Sequence, residues 1–321
     1  MTDNALAQRV LEGERRALAQ LISLVEDGGP GLAEVMRALY PHTGRAYSIG
    51  ITGAPGAGKS SLTDRLVARA RRDATSVGVL AVDPSSPFSG GALLGDRVRM
   101  QGHASDDGVF IRSMATRGHL GGMALATPEA MRALDAFGIE LVVVETVGVG
   151  QAEVRVADAC DTVLVVINPG WGDAVQVAKA GLLEVADVFV LNKADRHGAA
   201  QAERELHQML ELSNLERTPE IVRTVATGDE GVEELWTAIC SHRSFLEQDE
   251  RLSKRRLRRA ALEIRDIALE RYRSRFDKDG TALIARLAAD VEARRCDPYE
   301  AADRLLDRLA EPSGDCNARQ S

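Results

Sequence analysis

The chain has 321 residues, of which 45% are apolar and only 4% aromatic, and its formal net charge is −8. That length supports one large domain with helical additions, or two domains, and the acidic balance does not suggest an overall nucleic-acid or anionic-membrane binder. Four dispersed cysteines (Cys160, Cys240, Cys296 and Cys316) without a C-x-x-C pattern argue against a zinc site and a disulfide framework.

Residues 1–44 read as helical. Val10, Leu11, Leu18, Leu21, Ile22 and Val25 form an apolar face that Gly28-Gly29-Pro30-Gly31 breaks, and a second short helix is expected over Leu32–Tyr40. Short Val/Ile-rich runs follow: Tyr47–Thr52, Val77–Val82, Val109–Met114, Leu141–Val144, Thr162–Ile167, Val188–Leu191 and Ile221–Val225. Helix-like stretches such as Pro128–Phe137 and Ala174–Val185 lie between them. This alternation predicts an α/β fold with a mostly parallel sheet flanked by helices. Several runs are apolar at consecutive positions, as strands buried on both faces are. After Phe245 the pattern becomes charged and helical. Arg251, Lys254, Arg255, Arg256, Arg258 and Arg259 read as a solvated helix face, and Pro298 opens a last helix over Tyr299–Leu309. The expected divisions are a helical extension over 1–44, a nucleotide-binding domain over 45–245 and a helical segment with a polar tail over 246–321. No stretch is long and apolar enough for a membrane span. Met1-Thr2-Asp3-Asn4 lacks the marks of a signal peptide, so a cytoplasmic location is expected.

Four segments after strands carry chemistry. The first, Gly53-Ala54-Pro55-Gly56-Ala57-Gly58-Lys59-Ser60, matches the phosphate-binding pattern G-x-x-x-x-G-K-[ST] without a mismatch. Its glycines let successive N–H groups turn inward onto an anion, at the positive end of the helix beginning near Lys59. Lys59 is expected on the β- and γ-phosphates and the Ser60 hydroxyl on Mg²⁺. The second, Asn192-Lys193-Ala194-Asp195, fits N-K-x-D. A carboxylate at Asp195 accepts from guanine N1–H and the 2-amino group, which adenine does not offer in that arrangement. The third, Glu145-Thr146-Val147-Gly148, places a carboxylate for Mg²⁺ and, at Gly148, an N–H for the γ-phosphate. In the fourth, Asp83 and Asp96 bracket a Gly/Ser/Pro-rich loop, a composition that suits a switch closing over metal and phosphate. Thr116–Gly122 and Pro169–Lys179 also follow strands, and residue types alone leave them open between switches and structural loops.

Together these segments resemble the MeaB/ArgK family of P-loop GTPases. The resemblance rests on GAPGAGKSS (53–61), DPSSPFSGGALLGDRVRM (83–100), RSMATRGHLGGMA (112–124), VVETVGVGQAE (143–153), GDAVQVAKAGLLEVADVFVLNKAD (172–195) and DPYEAADRLL (297–306). It implies a GTP/GDP-binding chaperone of an adenosylcobalamin-dependent acyl-CoA mutase, such as methylmalonyl-CoA mutase or a relative. Such a protein gates cofactor loading and protects or reactivates the mutase, with an adenosyltransferase as an indirect partner. The resemblance implies Mg²⁺ ligation by Ser60, Asp83, Asp96 and Glu145, directly or through water. It adds Ser61 and the last guanine-contacting loop, Val225, Ala226 and Thr227, to the nucleotide contacts. Residues 145–151 would be one switch and 170–179 another, with Asp173, Gln176 and Lys179 at its polar positions and Lys179 beside Lys59 and Glu145 in catalysis. The C-terminal helices would make a homodimer. Two residues depart from the family pattern: Val225 stands where a serine is usual, leaving the Ala226 N–H to meet guanine O6, and His119 replaces a common threonine.

No glutamine or arginine is clearly placed to promote hydrolysis, so a slow intrinsic rate is expected. Two other readings differ in class. A nickel metallochaperone would need a Cys/His cluster that this sequence does not show, and a transport-linked kinase would need a phosphoacceptor site that does not stand out.

Overall fold

The computed structural model describes residues 3–83, 100–103, 105–115, 122–146, 159–169, 185–212, 215–276 and 280–310. Seven strands form one sheet: β1 (Tyr47–Gly53), β2 (Val77–Asp83), β3 (Val109–Ala115), β4 (Leu141–Thr146), β5 (Thr162–Ile167), β6 (Val188–Asn192) and β7 (Glu220–Thr224). All pairs are parallel, in the order β3-β2-β4-β1-β5-β6-β7. Every residue of β1, β4, β5 and β6 is buried, which is why Leu141–Val144, Val163–Ile167 and Val188–Leu191 are apolar at consecutive positions instead of alternating.

Alternate side chains of the strands serve different layers. Ile49, Ile51, Val77, Val79, Leu164 and Val166 share a core with α4 (Lys59–Arg72) and α7 (Val232–Glu247). On the other face Leu80, Val82, Val142 and Val144 pack with the N-terminal helices and α5 (Gly122–Phe137). Val163, Val165, Ile167 and Phe189 pack on that face with α6 (Ala199–Glu211).

The N-terminal region differs from the single helix expected before Gly28. It forms α1 (Asp3–Leu11) and α2 (Arg15–Asp27), then α3 (Leu32–Leu39). Gly13, at φ +81°, turns the chain between the first two. That bend lets Val10 and Leu18 face one core, with Leu21, Ile22 and Val25 continuing it. Gly28 ends α2 in the left-handed conformation as expected, its N–H bonding back to Val25.

The chain divides into two compact units, one running to Ala260 and the other starting at Ala261. The division falls inside α8 (Arg251–Arg275). The second unit continues through α9 (Thr281–Glu292) and α10 (Pro298–Ala310). Leu287, Cys296, Ala301 and Leu305 form its small core, and the Asp297 side chain caps α10 through the N–H groups of Tyr299 and Glu300.

The basic cluster at the start of α8 is a correction to the solvated face expected from sequence. Arg255 grips Asp187, and Arg256 and Arg259 both pair with Asp161. These aspartates immediately precede β6 and β5, so the cluster ties the first turns of α8, within the first unit, to the amino ends of central strands. Lys254 and Arg258 do remain exposed.

Candidate nucleotide site

The carboxyl ends of β1, β4, β6 and β7 converge at one edge of the sheet. β1 is central, paired with β4 on one side and β5 on the other, and its last residue opens the glycine-rich loop. Gly53 has φ +130°, and a Cβ there would lie 2.0 Å from the Val166 carbonyl oxygen of β5. Only glycine fits this junction, because both the backbone angle and the neighbouring strand exclude a side chain. Gly58, at φ +95°, precedes α4, and a Cβ on it would lie 2.3 Å from the Asn192 amide nitrogen. Pro55 and Gly56 are exposed, whereas Ala54 and Ala57 are buried beneath them.

Lys59, the first residue of α4, is buried. Its ammonium donates to the carbonyls of Gly53 at 2.7 Å and Ala54 at 2.9 Å. The charge is thus held against the glycine-rich loop. Ser60 follows, and its hydroxyl donates to Glu145 Oε1 at 2.5 Å. Glu145 lies within β4 and is buried, with Oε2 3.0 Å from the Thr63 hydroxyl. Thr63 also lies 3.0 Å from the Lys59 carbonyl, so its single proton serves one acceptor at a time. Ser61 is exposed on the next position of α4. The donors brought together here, a hydroxyl and a carboxylate, are oxygen atoms. That set fits a hard cation such as Mg²⁺. Among the described residues no group of three His, Cys, Asp or Glu side chains gathers as a metal site.

At the far side of the loop, Asn192 ends β6 and is buried. Its amide nitrogen donates to the Ala57 carbonyl at 2.8 Å. Its oxygen accepts from the Thr224 hydroxyl at 3.1 Å and from the Ala226 N–H at 3.2 Å. The Ala226 N–H expected at guanine O6 is therefore engaged by Asn192. Lys193, at φ +57°, donates to the Gly56 carbonyl at 2.6 Å. Asp195 is exposed at the mouth of this loop. Val225 bridges to Glu230 and closes the turn that carries Ala226 and Thr227.

The structure thus brings together the loop Gly53–Ser60, Glu145, Asn192, Lys193 and the Val225–Thr227 turn. Asp83 ends β2, but its side chain lies outside the described part of the structure. Asp96, Gly148, His119, Asp173, Gln176 and Lys179 also lie outside the described residues. Two side chains absent from the sequence expectations belong here. Thr63 holds the second oxygen of Glu145, and Arg65 Nε donates to the Ala226 carbonyl at 3.0 Å. Their positions three and five residues after Ser60 on the same helix were the available signal.

A family model described as Methylmalonyl Co-A mutase-associated GTPase MeaB matches residues 18–281. A Pyrococcus abyssi GTPase homologue is 49% identical over 312 residues, covering 95% of this chain and 96% of that protein. A Cupriavidus metallidurans protein named fused isobutyryl-CoA mutase is 42% identical over 207 residues, which cover 63% of this chain and 19% of that protein. A solved structure described as a LAO/AO transport system kinase aligns with a TM-score of 0.72 at 26% identity, covering 96% of this chain and 97% of that one.

Proposed function

The chain belongs to the MeaB family of methylmalonyl-CoA mutase-associated GTPases, and on that premise we propose that it is a chaperone of an adenosylcobalamin-dependent acyl-CoA mutase. In this reading GTP binding and hydrolysis gate cofactor loading and protect or reactivate the mutase. The observation that carries it is the match to the fused isobutyryl-CoA mutase of Cupriavidus metallidurans. There a segment like this chain makes up 19% of a protein named as a mutase. Fusion keeps two parts at high effective concentration, which is useful when they act on each other.

The chain's own groups support the nucleotide chemistry. The glycine-rich loop offers backbone N–H groups to phosphate oxygens, at the positive end of α4. Lys59 offers a buried ammonium that exchanges loop carbonyls for the β- and γ-phosphates. Asp195 reads the guanine edge, while Asn192 and Lys193 brace the loop beneath it. Ser60 and Glu145 would hold Mg²⁺, joined by Asp83 and Asp96. The metal, when bound, neutralises charge on the phosphates. Lys179, with Asp173 and Gln176, would carry the nucleotide state to the mutase. Catalysis of this kind rests on positioning and charge, so a slow intrinsic rate rises when the partner completes the site.

The same reading makes the protein a cytoplasmic homodimer built through its C-terminal helices. Ile264, Leu269, Tyr272 and Tyr299 in the second unit are exposed apolar or aromatic residues, as a surface that pairs with a second copy would require. Among the described residues no helix is long and apolar enough to cross a membrane.

The test is co-purification with methylmalonyl-CoA, isobutyryl-CoA and 2-hydroxyisobutyryl-CoA mutases, in GDP and in a non-hydrolysable GTP analogue. GTP turnover is then measured with and without the mutase retained. Nucleotide-dependent capture and accelerated turnover are expected. Fast turnover of the isolated protein, unchanged by every mutase, would overturn the reading.

A further inference from the structure

The Ala226 peptide is held from two directions. Its N–H donates to Asn192 Oδ1 at 3.2 Å, and Asn192 in turn donates to the Ala57 carbonyl of the glycine-rich loop at 2.8 Å. Its carbonyl accepts from Arg65 Nε at 3.0 Å, and Asp229 Oδ1 lies 3.3 Å from the same nitrogen. A closed circuit therefore runs from the glycine-rich loop through Asn192 and Ala226 to Arg65, on the helix that the loop begins. Ala226 is buried, whereas Thr227 is exposed.

The carbonyl of Ala226 and the N–H of Thr227 belong to one planar trans peptide, so they point in opposite directions. Fixing the carbonyl on Arg65 aims the Thr227 N–H away from α4. Among the described residues that N–H has no hydrogen-bond acceptor. The adjacent guanidinium also draws density from the carbonyl and strengthens the N–H as a donor.

We propose that Arg65 is a specificity-positioning residue: by holding the Ala226 carbonyl it presents the Thr227 N–H to guanine O6, because the Ala226 N–H is engaged by Asn192. This rests on the guanine-nucleotide reading of the site.

The test is calorimetric binding of three diphosphates to the full-length protein. GDP is the reference. 6-Thioguanosine diphosphate keeps N1–H and the 2-amino group but replaces O6 with a weaker acceptor. Inosine diphosphate keeps O6 and loses the 2-amino group. The unaltered protein should prefer GDP over the thio analogue by about tenfold, the size of one hydrogen bond. Arg65→Ala should weaken GDP by a similar factor and bring the GDP-to-thio ratio near one, while the GDP-to-inosine ratio stays unchanged. Thr227→Pro, which deletes the N–H itself, should lose the O6 preference to the same extent with Arg65 intact. Arg69→Ala is the control. Arg69 joins α4 to Glu233 at 2.6 Å without touching the Ala226 turn, and both ratios should survive its loss. Equal weakening of GDP and the thio analogue in Arg65→Ala would mean a purely structural role and would overturn the proposal. So would a full O6 preference in Thr227→Pro. If the unaltered protein binds adenosine diphosphate as well as GDP, the guanine reading itself fails.

Discussion

Arg255 grips Asp187 with both terminal guanidinium nitrogens, at 2.8 and 3.0 Å, just before β6 begins. Asp187 also takes the Val163 N–H at 2.8 Å and lies 3.2 Å from His242 Nε2. His242 Nδ1 continues to the Thr162 hydroxyl at 2.8 Å, which lies 2.5 Å from the Tyr47 hydroxyl. This polar chain crosses the amino ends of β1, β5 and β6, at the opposite edge of the sheet from the glycine-rich loop. It anchors the first turns of α8, within the first unit, without using any group of the nucleotide site.

Burial pushes the Asp187 carboxyl upward, but the His242 hydrogen bond and the Arg255 charge outweigh it and hold the group below its ordinary range. Asp161 behaves likewise: burial is opposed and exceeded by Arg256 and Arg259. A carboxyl lowered in the folded state stabilises the fold above its unfolded pKa, and that contribution is lost as pH falls through the folded pKa. Asp187→Asn leaves the Arg255 charge without its partner and should cost about 3–5 kcal/mol near neutral pH. Thermal melts against pH provide the measurement. The gap between variant and parent should narrow only below the ordinary aspartate range. A pH-independent gap would remove the ionic explanation.

Gly53 and Gly56 sit three residues apart in the same loop but should fail differently. A Cβ on Gly53 meets the Val166 carbonyl oxygen at 2.0 Å, so Gly53→Ala must displace β5 or the loop and should prevent stable folding. A Cβ on Gly56 meets nothing within 4 Å, and only its φ of +74° opposes a side chain. Gly56→Ala should therefore cost about 1–2 kcal/mol of stability and still fold. Chemical denaturation of both variants tests the contrast. Equal destabilisation would count against the close approach of β5.

What the sequence made legible was local and periodic. Consecutive apolar residues marked Thr162–Ile167 and Val188–Leu191 as strands buried on both faces, and the glycine pattern marked the turn into α4. The contacts that escaped it join residues far apart in sequence. Nothing near Arg255 announces that Asp187 awaits it, because a basic helical stretch has the same local pattern whether it faces water or a buried carboxylate. Thr63 and Arg65 read as ordinary helix residues until β4 and the turn after β7 arrive beside them. The engagement of the Ala226 N–H by Asn192 was equally hidden, since a backbone donor leaves no mark in residue type. Gly13 was visible as a glycine, but its effect appears only once Val10 and Leu18 must share one core.

Thr63 should set how well Glu145 serves a metal. The carboxylate has one oxygen 3.0 Å from the buried Thr63 hydroxyl and the other 2.5 Å from Ser60. Thr63 thus fixes the rotation of the group, leaving the Ser60-side oxygen toward the proposed cation. Thr63→Val preserves shape and removes that bond, a loss of about 1 kcal/mol. The Mg²⁺ concentration for half-maximal GTP hydrolysis should rise about fivefold, while GDP affinity measured in EDTA stays unchanged. An unchanged Mg²⁺ dependence would assign Thr63 to helix packing through the Lys59 carbonyl alone.

Asp195 tests the base reading most directly, because its position combines exposure with a braced backbone. Lys193 holds the loop to Gly56, the Ala194 N–H donates to the Thr224 carbonyl at 3.1 Å, and Asn192 is buried beneath. The carboxylate is therefore carried on a braced turn, where the base reading places two guanine donors. Asp195→Asn keeps the size of the side chain but replaces one acceptor oxygen with an NH₂ donor, which opposes a guanine N–H. Charge-assisted hydrogen bonds of this kind contribute about 1.5–3 kcal/mol, so GTP affinity should fall by about 10- to 100-fold. Xanthine carries a carbonyl where guanine carries its 2-amino group, and the new amide donor suits it. Xanthosine triphosphate should therefore bind the variant better than GTP does, reversing the order in the parent protein. Hydrolysis of xanthosine triphosphate by the variant should approach the parent's rate with GTP, because Lys59, Ser60 and Glu145 are untouched. Unchanged GTP affinity in the variant would remove Asp195 from the base contact, while leaving the phosphate assignment of the glycine-rich loop intact.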